Sequence, residues 1–313
     1  MKLFPPPEFL LMDHAGLEIS DDAIRCISYK DPTKSRKVKS FGSVDLPKGL
    51  LIGGDTINMD GLRAILKKFK EDNNLSYVKV SVPEEKAYLF DIEVPDADTS
   101  SIYQNIESKL EENVPLLAKD AVFEFDLFPV AKNSLTASVS VVPRTYIEKM
   151  LELLHSVGLK PLAFEVVPKA LARVLGGAGS DKTLIVSHIM DTKIGIYIVS
   201  GGVVTFASTV SRDVITSSEV PRLAVEDTIA KEIIRVYQYW MSRPDATTIH
   251  DVVLVGHGAQ DLETGVRDAV ASVALNVSTP DIWKNISNTN KDLPSISKSD
   301  SLAYAVVAGL ALS

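Results

Sequence analysis

Apolar and polar positions follow one pattern that occurs twice along the chain. Gly16-Leu17-Glu18-Ile19 starts a short apolar strand, and Ser20-Asp21-Asp22 makes a polar turn. Ala23–Tyr29 supplies a second strand and Lys37–Val44 a third. From Asp60 onward, Leu62, Ile65, Leu66 and Phe69 recur at the spacing of one helix face. Tyr77–Val82 then alternates Val78, Val80 and Val82 with polar residues, as a half-buried strand does. The second copy opens at Thr183–Val186 and turns through Ser187–Lys193. Ile194–Ser200 and Val203–Thr209 form a hairpin around Gly201-Gly202, a pair suited to the positive φ of a tight turn. The helix Val225–Ser242 places Ile229, Ile233, Val236 and Trp240 on one face, which makes Trp240 a core residue. Asp251–Val255 is apolar enough for a fully buried strand. Strand, polar turn, hairpin, helix and strand thus occur twice. That order predicts a duplicated α/β unit with its ligand site in the cleft between the copies.

Between the copies lies a separate block, Glu84–Glu165. Tyr88, Phe90, Ile92 and Val94 alternate with polar positions, as do Phe123, Phe125 and Leu127, and later Leu135, Ala137, Val139 and Val141. Two helices interleave: Ile102–Glu112, stopped before Pro115, and Arg144–Val157, closed by Gly158. The order β-α-β-β-α-β predicts a small inserted α+β subdomain, the alternative being an extension of one continuous sheet.

Composition narrows the function. Of 313 residues 45% are hydrophobic and 24% charged, so the chain can bury a substantial core. Lys and Arg number 33 against 41 Asp and Glu, a net charge of −8 that disfavours nucleic acid as a partner. Cys26 is the only cysteine, which excludes an internal disulfide and a cysteine-built zinc site and fits a reducing compartment. Apolar runs such as Leu302–Leu312 fall short of the roughly 20 residues that cross a bilayer. The first twelve residues lack the basic start and apolar core of a secretion signal, so a cytoplasmic location without direct membrane insertion is expected. The five histidines show no metal-ligand spacing, and no serine sits in a nucleophile-elbow context. The run Lys67-Lys68-Phe69-Lys70 reads as a solvated helix face.

The order of these pieces resembles the PilM family of type IV pilus assembly proteins, actin-like relatives of the cell-division protein FtsA. Gly16–Ser20 with Ala23-Ile24-Arg25 is similar to the family's opening phosphate loop. Val82-Pro83, Ile92–Pro95 and Gly158-Leu159-Lys160-Pro161 resemble the boundaries of its inserted subdomain, 1C. Ala170–Arg173 is similar to the returning helix, Lys231–Tyr239 to the long helix beneath the adenine, Val253–Ala259 to the adenosine loop and Ala303–Ala311 to the closing helix. The resemblance covers about Ala15 to Ser313. It implies an actin-like, duplicated ribonuclease-H-like α/β fold. Its divisions would be an arm over 1–14, the first part of subdomain 1A over 15–83, 1C over 84–165 and a return helix over 166–181. Subdomain 2A would start at 182–213, a reduced 2B lid with the long helix would take 214–250, and 251–300 and 301–313 would complete 2A and 1A.

The same resemblance implies ATP and magnesium as cofactors. Backbone groups at Ser20, Asp21 and Asp22, the side chain of Arg25, and Gly256, His257, Gly258 and Ala259 would contact the nucleotide, with Lys231, Glu232 and Arg235 at the adenine edge. Two departures weaken catalysis. The segment from Ser211 to Val225 is too short for a full lid, and His188-Ile189-Met190 stands where actin-like ATPases carry Asp-Ile-Gly. The missing carboxylate orients metal-bound water and the missing glycine admits the phosphates. Asp191 and Thr192, just downstream, would substitute only if the loop shifts register. The expectation is therefore a scaffold at the inner face of the cytoplasmic membrane with weak or absent hydrolysis. Its partners would be the cytoplasmic tail of a PilN-like membrane protein and, through it, the pilus assembly ATPase. Self-association is left open, and so is the alternative of a working ATPase that switches partner affinity.

Overall fold

The computed structural model describes residues 13–30, 37–95, 98–131, 134–176, 182–211, 225–243, 246–286, 294 and 296–312. The arm over 1–12 and the segment 212–224, where the reduced lid is expected, lie outside them.

The first copy begins with β1 (Ala15–Ile19), β2 (Ala23–Tyr29) and β3 (Val38–Asp45), consecutive strands in an antiparallel meander. A small hairpin, β4 (Leu51–Ile52) and β5 (Asp55–Thr56), precedes helix α1 (Met59–Asp72). Asn58 caps α1 by accepting from the Gly61 N–H at 2.9 Å, and Leu62, Leu66 and Phe69 are its buried stripe. Strand β6 (Tyr77–Val82) then lies parallel to β1. The second copy repeats the plan with β11 (Thr183–Ile189), β12 (Lys193–Ser200) and β13 (Val203–Ser211), then α5 (Val225–Met241) and β14 (Ile249–Gly256) parallel to β11. Helix α6 (Ala259–Ala269) leads to the short edge strand β15 (Asn276–Ser278). With β10 (Lys160–Val166) at the outer edge of the first, the two five-stranded sheets share one order, β3-β2-β1-β6-β10 and β13-β12-β11-β14-β15. In each, only the second strand of the meander runs against the rest. The duplication seen in the sequence is therefore a duplication of topology.

The block between the copies divides. Strands β7 (Tyr88–Val94), β8 (Ala121–Ala131) and β9 (Ser134–Pro143) form a sheet in the order β7-β9-β8, covered by α2 (Thr99–Asn113). Ile102, Ile106 and Leu110 of α2 pack on Ala137, Val139 and Val141 of β9 in a small core of their own. The last two elements of the expected β-α-β-β-α-β unit go elsewhere. Helix α3 (Arg144–Ser156) buries Met150, Leu153 and Leu154 among Leu17, Leu62 and Leu66 of the first copy. Strand β10 (Lys160–Val166) pairs with β6 at the edge of the first sheet. Leu153, Leu154 and Leu159 are fully buried, and they belong to the core of the first copy rather than to that of the three-stranded sheet.

Helix α4 (Val167–Leu175) and the closing helix α7 (Ala305–Leu312) share one large core with the second sheet and with Ile27 and Tyr29 of β2. Helices α1 and α3 cover the other face of the first sheet, and α5 with α6 cover the second. Close packing at the centre requires Gly16. A Cβ there would stand 2.1 Å from the Val307 carbonyl oxygen of α7. Side-chain contacts that fasten the inserted sheet to this body include two polar ones. Ser138 Oγ donates to the Val204 carbonyl of β13 at 2.6 Å, and Lys169 of α4 pairs with Glu124 and Asp126 at 2.8 and 2.9 Å.

Candidate functional site

The β1–β2 turn of the first copy faces the β11–β12 turn of the second, as two copies of one plan must when their sheets are brought together. Asp21, Asp22 and Arg25 from one side and Asp191, Thr192, Lys193 and His257 from the other line a cavity of about 1100 Å³, to which the β4–β5 hairpin also contributes. A crevice of about 20 Å³ behind it is lined by Glu18, Ser20, His188, Met190 and Gly256. Gly256, at φ 103°, passes so close to β11 that a Cβ would stand 2.0 Å from the Ile189 carbonyl oxygen.

Charge is concentrated at this junction. Glu18 and Arg25 are directly opposite in the β1–β2 register, on one face of the pair, with Nη1 3.7 Å from Oε2. Burial raises the Glu18 carboxyl to about 7 against the opposing pull of Arg25. A 3₁₀ turn at Glu84–Lys86 carries two more carboxylates across to the second copy: Tyr197 Oη donates to Glu84 at 2.7 Å, and Lys193 pairs with Glu85. Burial alone would lower the Lys193 ammonium, but Glu84 and Glu85 hold it above its ordinary value. His188 is buried with Nδ1 unpartnered, and burial together with Lys193 and Arg25 lowers it to about 3, so it is neutral.

The two turns also bind each other. Asp22 Oδ2 accepts from the Asp191 N–H at 3.1 Å, and the Asp191 carboxylate meets His257 Nδ1 at 3.1 Å. Asp21 accepts from the N–H groups of Gly53 and Gly54 at 2.8 and 3.0 Å, which ties the β1–β2 turn to the β4–β5 hairpin. Burial raises the Asp22 carboxyl even with the Asp191 N–H in place.

Of the residues expected at a nucleotide, Ser20, Asp21, Asp22, Arg25, Asp191, Thr192, Gly256 and His257 meet in this cleft. Gly258 is the left-handed N-cap of α6 and the Ala259 side chain points into the core; neither lines the cavity or the crevice. Lys231, Glu232 and Arg235 do not line them either. Helix α5 turns Ile229, Ile233 and Val236 inward, which leaves Arg235 exposed and bonded to Glu232 and to Ser208 of β13. Sequence reasoning did not assign Glu18, Glu84, Glu85, Lys193 and Tyr197 to the site. A glutamate inside an all-buried strand was the available signal for Glu18; the others join only through the fold.

A bound triphosphate requires free backbone N–H groups and cations directed at it. Here the N–H groups of Ser20, Ala23, Met190 and Asp191 all have acceptors within the chain. Arg25, Lys193 and His257 each face a carboxylate, and the crevice between the turns holds about one water. As arranged, the crevice between the two turns does not fit the phosphates of ATP with magnesium. Among the described residues, no group of three or more His, Cys, Asp or Glu side chains is placed to hold a metal ion.

Two matching sheets joined by a cleft, with an insertion in the first copy, define an actin-like fold. The chain is similar over 96% of its length, at TM-score 0.76 and 19% identity, to 98% of a chain of the PilM–PilN type IV pilus biogenesis complex. It is also similar over 99% of its length to 90% of the ethanolamine utilization protein EutJ of Carboxydothermus hydrogenoformans, at TM-score 0.53 and 12% identity. No protein-family model and no curated protein sequence matches the chain. No helix among the described residues is long and apolar enough to cross a membrane.

Proposed function

We propose that this protein is an actin-like scaffold of a type IV pilus assembly complex and that it binds the cytoplasmic tail of a PilN-like membrane protein. The observation that supports this reading most is the likeness to a PilM–PilN complex chain, which runs over 96% of this chain and so through the inserted three-stranded sheet as well as both copies of the core. The docking place is beside that sheet, where β10 forms an outer edge of the first sheet and exposes Leu162, with Tyr88 exposed on β7. An extended peptide gains backbone hydrogen bonds along such an edge and specificity from apolar side chains in neighbouring hollows. Through this contact the protein would work at the inner face of the membrane without entering it. Hydrolysis is near background, because a neutral His188 and Met190 stand where the resemblance expects a carboxylate and a glycine.

The test is titration of the partner's cytoplasmic peptide against the full chain and against a form lacking residues 1–12, whose Phe4, Phe9, Leu10 and Leu11 are candidate occupants of the same edge. Leu162→Glu is expected to weaken binding by about tenfold. Absence of binding to both forms refutes the partner assignment, and phosphate release of several turnovers per second refutes the non-catalytic one.

A further inference from the structure

We propose that Asp22 ties the two turns of the cleft together in place of an anionic ligand, its carboxylate occupying the phosphate position between them, so that the halves stay joined without a nucleotide. The carboxylate belongs to the first copy and the N–H it accepts from belongs to the second, at Asp191. That contact spans 169 positions in sequence and crosses the cleft. A backbone N–H in a turn between strands receives a phosphate oxygen in the same way, so a side-chain carboxylate seated there excludes one.

The surroundings agree. Asp21 anchors the same turn to the β4–β5 hairpin through Gly53 and Gly54, which fixes where Asp22 points. Asp191, whose N–H is taken, is held from the other side by His257. Arg25 is turned toward Glu18, and Lys193 toward Glu85. Lys48, the other cation lining the larger cavity, is exposed on the turn after β3. An added triphosphate would meet the carboxylates of Asp21, Asp22 and Asp191, while the cations of the crevice, Arg25 and His257, are turned toward Glu18 and Asp191. Beyond the direct contact, the Tyr197–Glu84 and Lys193–Glu85 pairs join the same two halves. The joint between the two halves is thus built into the chain.

This inference does not depend on the partner assignment and is tested without any partner. Hydrogen exchange at the Asp191 amide is followed in the full chain, with and without millimolar magnesium-ATP, alongside thermal unfolding. The amide should be protected in the absence of nucleotide, and neither its exchange rate nor the melting temperature should move with magnesium-ATP. Asp22→Ser should speed exchange at Asp191 by about tenfold, the effect of removing a hydrogen bond to a charged acceptor. A saturable rise in melting temperature of the unaltered chain with magnesium-ATP would overturn the proposal. So would an Asp191 amide that exchanges as fast in the unaltered chain as in an unstructured peptide. Both measurements on the unaltered chain decide the matter even if Asp22→Ser fails to fold.

Discussion

Replacing Glu18 by Gln should change how stability depends on pH, with a sign and size set by the cleft. The folded protein raises this carboxyl to about 7 from 4.5, chiefly by burying it. Between those two values the folded chain keeps a proton that the unfolded chain has released. Stability from this group is therefore complete below pH 4.5 and is lost as pH rises toward 7. The shift of 7 − 4.5 amounts to about 3 kcal/mol at 1.36 kcal/mol per unit. His188 acts in the opposite sense, since burial lowers it from 6.5 to about 3 and its contribution is lost as pH falls through that range. The two slopes offset each other in the unaltered protein between about pH 4.5 and 6.5, so a single stability curve would hide both. The glutamine side chain has the shape of the protonated carboxyl and does not titrate. Urea unfolding of both proteins from pH 4.5 to 8 isolates Glu18 in the difference, because the histidine is common to both. The Glu18→Gln protein should match the unaltered one at pH 4.5 and become more stable by about 3 kcal/mol at pH 8. A difference that stays constant with pH, or that grows as pH falls, refutes the assignment of Glu18 as a carboxyl destabilised in its charged form by burial.

Two further outcomes test the packing. Gly16→Ala should lower stability by about 1–3 kcal/mol in denaturant unfolding, because its Cβ meets the Val307 carbonyl and α7 must shift to admit it. Ser138→Ala should cost about 1–3 kcal/mol by leaving the buried Val204 carbonyl without its donor, with faster hydrogen exchange in β7–β9 than in the rest of the molecule.

The duplicated core was legible because its strands and helices carry unbroken apolar periodicity, as at Leu62, Leu66 and Phe69 or at Ile229, Ile233 and Val236. The pieces that escaped are short: the two-residue strands of the β4–β5 hairpin and the three residues of β15 leave no period to read. Assigning α3 and β10 to the inserted block failed for another reason. Their spacing fits either core, and only the assembled fold shows that Leu153, Leu154 and Leu159 join the one beneath β1 and α1. The cleft was half legible. Turn residues such as Asp22 and Asp191 were visible as loops in matching positions of the two copies. That one would grip the other is not, because the contact depends on how the copies meet. Lys231, Glu232 and Arg235 show the converse. Their polar face was plain, but whether that face looks into the cleft depends on which side of α5 the sheet covers.

Synthesis of this chain is affected by the position of α7. The helix Ala305–Leu312 is apolar throughout and packs on β1, which is made first. At ordinary translation rates of about 5–20 residues per second, roughly 15 to 60 s separate the two on the ribosome. For that interval the nascent first copy displays Gly16 and its neighbours as a bare apolar shelf, open to whatever else can lie on it. Completion of the first copy is thereby postponed until α7 has been made. A pause in translation just before α7, or loss of α7, would leave a finished second copy attached to an unsealed first one, the form most prone to capture by chaperones and proteases.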